Sequence, residues 1–89
     1  MFKVGDKVIV NGIESELDFN NEIGIVNKVG HSVIYKNYVA IEFISLKNHK
    51  LHSCDGVCRA SKGFWVSTLS GIIRRFKPKE VKIKGEIYI

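Results

Sequence analysis

Residues 49–66 read HKLHSCDGVCRASKGFWV, and the run that closes them, Phe64-Trp65-Val66, decides the architecture. Side chains along a strand alternate between its two faces, so these three cannot all enter one core. If Phe64 and Val66 fill the interior, Trp65 stands on the other face, beside the polar loop that precedes it. The converse, a core tryptophan with Phe64 outside, stays open, because tryptophan is both well buried on average and enriched at interaction surfaces.

The segments on either side read as strands. Upstream, Tyr38-Val39-Ala40-Ile41-Glu42-Phe43 alternates cleanly, with Val39, Ile41 and Phe43 on one face, and the β-branched run Ile23–Val29 ends at Gly30. Val33-Ile34-Tyr35 is expected as a short strand before a Lys36-Asn37 turn. Phe2–Val10 bends at Gly5-Asp6 and then points Val8 and Val10 inward. Asn11-Gly12 is a turn signal, and residues 13–22, acidic and polar apart from Leu17 and Phe19, are expected as a long surface loop. Glu14, Glu16, Asp18 and Glu22 lack the spacing of a calcium loop, so no metal is assigned there. Downstream, Thr68–Gly71 is expected as a 3₁₀ turn and Ile72–Phe76 as a strand closed by Pro78. Val81–Ile89 reads as an amphipathic strand with Val81, Ile83, Ile87 and Ile89 on one face and a bulge at Gly85.

No segment holds helical periodicity over three turns. The expected fold is therefore all-β: a small SH3-like barrel of five to six short antiparallel strands, with a long His/Cys loop and an extra C-terminal strand. An OB-type barrel is the rival, and it usually carries a helix between its third and fourth strands.

A chain of 89 residues forms one domain, residues 1–89. At that size roughly 60–65% of the unfolded surface is buried, which favours a shallow surface site over a deep cleft. The chain is 45% hydrophobic and 26% charged, which excludes a disordered composition. No run has the length of a membrane span, and MFKVGDKVIV lacks the apolar centre of a signal peptide, so a cytoplasmic protein with no membrane partner is expected. In that compartment cysteines are more often free or metal-bound than joined.

The net charge of +5 is uneven. Residues 1–50 hold six lysines against six carboxylates, whereas residues 51–89 hold eight bases against three, with Arg74, Arg75, Lys77, Lys79 and Lys82 close together. Such a cluster attracts phosphates or an acidic protein surface, and it equally serves as a solvated face that keeps a β protein soluble.

His49, His52, Cys54 and Cys58 place four soft ligands within ten residues, a set that suits tetrahedral zinc. Zinc is the one candidate cofactor. The plainer account needs none: cysteines as small buried hydrophobes and histidines as loop polars. A Cys54–Cys58 disulfide would close too short a ring to constrain much. Thiol catalysis would need a positioned base and an oxyanion hole, so no catalytic residue is assigned and the chain is read as not an enzyme. Tyr35-Lys36-Asn37-Tyr38 sets two aromatics around a lysine, as nucleic-acid surfaces do, although tyrosines at strand ends also serve as packing residues with a wet hydroxyl.

His52-Ser53-Cys54-Asp55-Gly56-Val57-Cys58 followed by Gly63-Phe64-Trp65-Val66, with Val4-Gly5-Asp6-Lys7-Val8 and Ile23-Gly24-Ile25-Val26, resembles a set of small, mostly uncharacterised proteins of bacteriophages and prokaryotes. These read as SH3-like barrels with an H-x-C-x-G-x-C then G-x-W-V pattern. The resemblance covers residues 1–70 and leaves Val81–Ile89 unexplained. It implies a fold and a phage origin rather than a reaction. A role in occupying a host macromolecule, including a host defence or nucleic-acid-processing component, follows by analogy alone.

The expectation is a non-enzymatic binding module that engages a host macromolecule through Trp65, Tyr35, Tyr38, Lys62, Arg74 and Arg75. Protein is favoured over nucleic acid, because rings and bases are not interleaved along one strand. Two alternatives stand beside it. One is a pocket for a small anionic ligand such as a nucleotide at the interface of a homo-oligomer formed through the 81–89 strand, with Arg74, Arg75, Lys62 and the histidines on the phosphate. The other is a zinc-stabilised nucleic-acid-binding domain.

Overall fold

The computed structural model describes residues 1–76, so the expected strand over Val81–Ile89, its oligomer contact and the bases beyond Phe76 lie outside the described residues. Five strands form one antiparallel sheet: β1 (Lys7–Glu14), β2 (Leu17–Val29), β3 (Tyr38–Phe43), β4 (Gly63–Ser67) and β5 (Ile73–Arg75). Their order across the sheet is β4-β3-β2-β1-β5, with β4 and β5 as unjoined edges, so the sheet is not closed. The all-β expectation is met among these residues.

The expected acidic loop over residues 13–22 is instead the tip of the β1–β2 hairpin. The strands pair out to Glu14 and Leu17, and the turn is made by Ser15 and Glu16, both with left-handed φ (51° and 67°). That geometry matches the right-handed twist of the flanking strands, and it usually takes Asn-Gly. The Asn-Gly pair in this chain does something else. Asn11-Gly12 stands opposite a bulge in β2: the register shifts between Val10 and Gly12 so that Asn20 and Asn21, the latter with left-handed φ (52°), face the single Asn11, and the Ile72 side chain packs where a Gly12 Cβ would stand. The bulge lets the hairpin bend over the core.

Three smaller expectations also change. Val33-Ile34-Tyr35 is not a strand but part of the exposed β2–β3 loop, closed by Gly30 N–H donating to the Tyr38 carbonyl (2.7 Å). Thr68–Gly71 is a turn, and the 3₁₀ turn lies at Arg59–Ser61. The last described strand is shorter than Ile72–Phe76.

One face of the sheet carries the main core of Val8, Val10, Leu17, Phe19, Val26, Val39, Ile41, Phe43, Phe64, Val66 and Ile73, joined by Leu51 from the long loop. Phe19 is its centre, stacked on Phe43 (centroids 5.0 Å) and edge-on to Phe64 (5.7 Å). Replacing Phe19 by alanine is expected to cost about 3–5 kcal/mol in urea denaturation, while the exposed neighbour Asp18→Ala changes stability by less than about 0.5 kcal/mol.

Candidate functional site

The second face of β3 and β4 is buried too, and the long loop buries it. Trp65 lies opposite Ala40 in the β3–β4 register, facing away from the main core that takes Phe64 and Val66. Ala40, Cys54 and Cys58 form a separate small core there, with Val57 and Trp65 against it. Both cysteines are free thiols and are buried.

Local chemistry explains how the loop reaches this face. Ser53–Gly56 makes a tight turn closed by Gly56 N–H to the Ser53 carbonyl (3.0 Å), with Cys54 and Asp55 both left-handed. His52 and Gly63 exchange backbone hydrogen bonds of 2.9 and 2.7 Å, which ties the loop's entry to the start of β4. The thiols then lie directly on the Gly63 backbone, where an added Cβ would stand 2.6 Å from Cys58 Sγ and 2.9 Å from Cys54 Sγ. Only glycine permits that approach.

A polar clamp holds the loop's exit. A second register shift in β2, between Val26 and Lys28, frees Asn27, whose side chain donates to the Val57 carbonyl (2.9 Å) and to Glu42 Oε1 (3.0 Å). Glu42 also accepts from the Arg59 backbone N–H (2.8 Å) and from its guanidinium (3.2 and 3.3 Å). The Arg59 N–H above all, then its charge, holds the Glu42 carboxyl below the usual glutamate range.

Burial pushes both thiols above the usual thiol range. His52 Nδ1 accepts the Cys54 backbone N–H (3.0 Å), and the ring packs near Phe64. His49 is exposed before Leu51. Among the described residues no three His, Cys, Asp or Glu side chains are arranged to hold a metal ion.

Beside this small core is a recess of about 200 Å³ lined by His31, Tyr35, Tyr38 and Trp65. His31 stands edge-on to Trp65 (centroids 4.4 Å, 74°) and near Tyr35 (5.9 Å, 63°), and Tyr35 is edge-on to Tyr38 (5.5 Å, 85°). His31 Nε2 lies 3.1 Å from Asp55 Oδ2, so the tip of the loop fixes the imidazole. The β2–β3 loop that carries His31 and Tyr35 also exposes Val33 and Ile34, and Thr68 donates twice to the Asn37 carbonyl, which ties the turn after β4 to that loop.

Of the residues singled out in the sequence, the fold brings Trp65, Tyr35 and Tyr38 together. It leaves the bases elsewhere. Lys36 lines a different recess with Met1, Phe2 and Val39. Arg74 and Arg75 belong to β5, the opposite edge strand, where Arg75 bonds to Asp6 (3.1 Å) and covers the Phe2 ring. Lys62 is exposed just before β4. Sequence reasoning missed His31 and Asp55. For His31 a signal existed, since Gly30 ends β2 where Tyr38 begins β3; for Asp55 there was none.

Comparison with known proteins returns no match: no family model fits the chain, and no curated protein or solved structure is significantly similar to it.

Gly63→Ala is expected to lift the loop, cost about 1–3 kcal/mol and raise the rate at which iodoacetamide alkylates the native thiols, followed by mass spectrometry. Glu42 gives a pH dependence. Because its folded pKa is depressed, its stabilisation is complete above the ordinary glutamate value and is lost as pH falls through the lower folded value. Glu42→Gln should therefore cost about 1 kcal/mol at neutral pH and flatten the acid limb of a melting-temperature profile.

Proposed function

We propose that the chain is a non-enzymatic binding module that engages a partner protein through the aromatic recess of His31, Tyr35, Tyr38 and Trp65. Trp65 carries this reading. Its indole is only half-buried, stands on a strand whose other face is locked into the core, and is walled by three further rings. Rigid aromatics lose little rotamer entropy on binding, and tryptophan and tyrosine dominate interaction hot spots. Exposed Val33 and Ile34, on the loop between His31 and Tyr35, add apolar surface to that loop.

The scaffold is proposed to be an SH3-like barrel that is left open. Its support is the strand order β4-β3-β2-β1-β5, with a thirteen-residue β2 bent by bulges and shared between β1 and β3.

Two observations favour protein over nucleic acid. A single-stranded nucleic acid needs bases on rings and phosphates on cations along one groove. In this chain no Lys or Arg is among the residues that line the recess, Lys36 lines a different one, and Arg75 is engaged with Asp6. Both thiols are buried in the small core under the loop, which supports a role without covalent chemistry. That the partner belongs to a host, and the chain to a phage, rests on the HSCDGVC…GFWV resemblance alone.

Immobilised protein in nuclease-treated bacterial extract is expected to retain a partner protein. Trp65→Ala and the exposed Tyr35→Ala should each lower retention at least tenfold, whereas Arg74→Ala should not. Retention that survives both aromatic substitutions, or that is seen only in extract without nuclease treatment, overturns the reading.

A further inference from the structure

We infer that the recess seats an arginine side chain of the partner protein, an assignment that rests on the binding reading above and adds the chemistry of the contact. The first support is ring geometry. Neighbouring rings meet at 63°, 74° and 85°, so none of these three contacting pairs is stacked in parallel. They make a box of π faces and edges instead. Such faces carry the negative end of the ring quadrupole and attract a cation set against them.

The second support is a carboxylate at the wall. Asp55 bonds to His31 through Oδ2, and its side chain is 74% exposed, so it can accept a further hydrogen bond from an incoming donor. A lysine ammonium is strongly hydrated and carries three donors, most of which would face carbon in a recess lined only by rings. A guanidinium is more weakly hydrated. It can lie flat on an aromatic face while its N–H fork reaches a carboxylate at the edge.

Among the described residues no Lys or Arg lines this recess: Arg59 pairs with Glu42, Arg75 with Asp6, and Lys36 lines the other recess. The proposed occupant comes from the partner. Val33 and Ile34, 91% and 83% exposed next to Tyr35, give the polypeptide that carries the arginine an apolar surface to lie on. A free small cation would leave that surface uncovered.

Trp65 is the only tryptophan, so its fluorescence and its indole N–H resonance report the recess alone. The full chain is titrated with N-acetyl-arginine amide, its neutral isostere N-acetyl-citrulline amide, N-acetyl-lysine amide and AMP. The arginine derivative is expected to move the Trp65 signals and bind at least several-fold more tightly than the other three, and Asp55→Asn to weaken it about two- to five-fold. Equal binding of citrulline, a preference for lysine or AMP, or no response to arginine overturns the assignment. If Trp65-dependent retention of a protein persists in that case, only the arginine is wrong; if it is lost as well, the binding reading falls with it.

Discussion

A strand in a single sheet can bury both faces only if something covers each, and in this chain the second covering depends on two thiols packed against the backbone of Gly63. Phe64 and Val66 are claimed by the main core, which forces the Ala40–Trp65 side of the β3–β4 pair outward. A domain of this size has no second layer of secondary structure to place there. The loop between β3 and β4 supplies one, and cysteine suits the task because it is small, apolar and tolerant of close contact. Gly63 removes the Cβ that would hold the loop away.

That contact fixes more than the loop. With Cys54 buried, the Ser53–Gly56 turn brings Asp55 to His31, and the imidazole then stands against Trp65. The far side of the recess comes from the β2–β3 hairpin, where Gly30 and Tyr38 close the strand ends. Two loops on either side of β3 in the chain thus meet across one indole. The Asn27–Glu42–Arg59 clamp holds the remaining end, and its geometry comes from a one-residue bulge in β2. Backbone irregularity here directs side chains: one bulge bends the hairpin over the core, the other aims Asn27 at the loop.

Of the residues that suit zinc by type, Cys54, Cys58 and His52 also have packing or hydrogen-bonding contacts of their own among the described residues. Cys54 and Cys58 lie together under the loop, while His52 is turned to a backbone N–H and His49 is exposed. The bases divide in a similar way. Lys36 lies between two recess tyrosines in the chain but not in space, since residues of a loop need not share a side.

The sequence by itself determined the strands whose alternation is strict, namely Val8 and Val10 in β1, Val39, Ile41 and Phe43 in β3, and Phe64 and Val66 against Trp65 in β4. Period two is imposed by the backbone, and burial of one face makes it visible. It could not disclose that Ser15-Glu16, rather than Asn11-Gly12, turns the first hairpin, because both pairs can adopt left-handed backbone and only the pairing of Leu17 and Phe19 with β1 selects one. Nor could it join His31 to Asp55 and Trp65. Those contacts span 24 and 34 positions of chain, and only the folding of a loop across the outer face of the sheet brings them within reach.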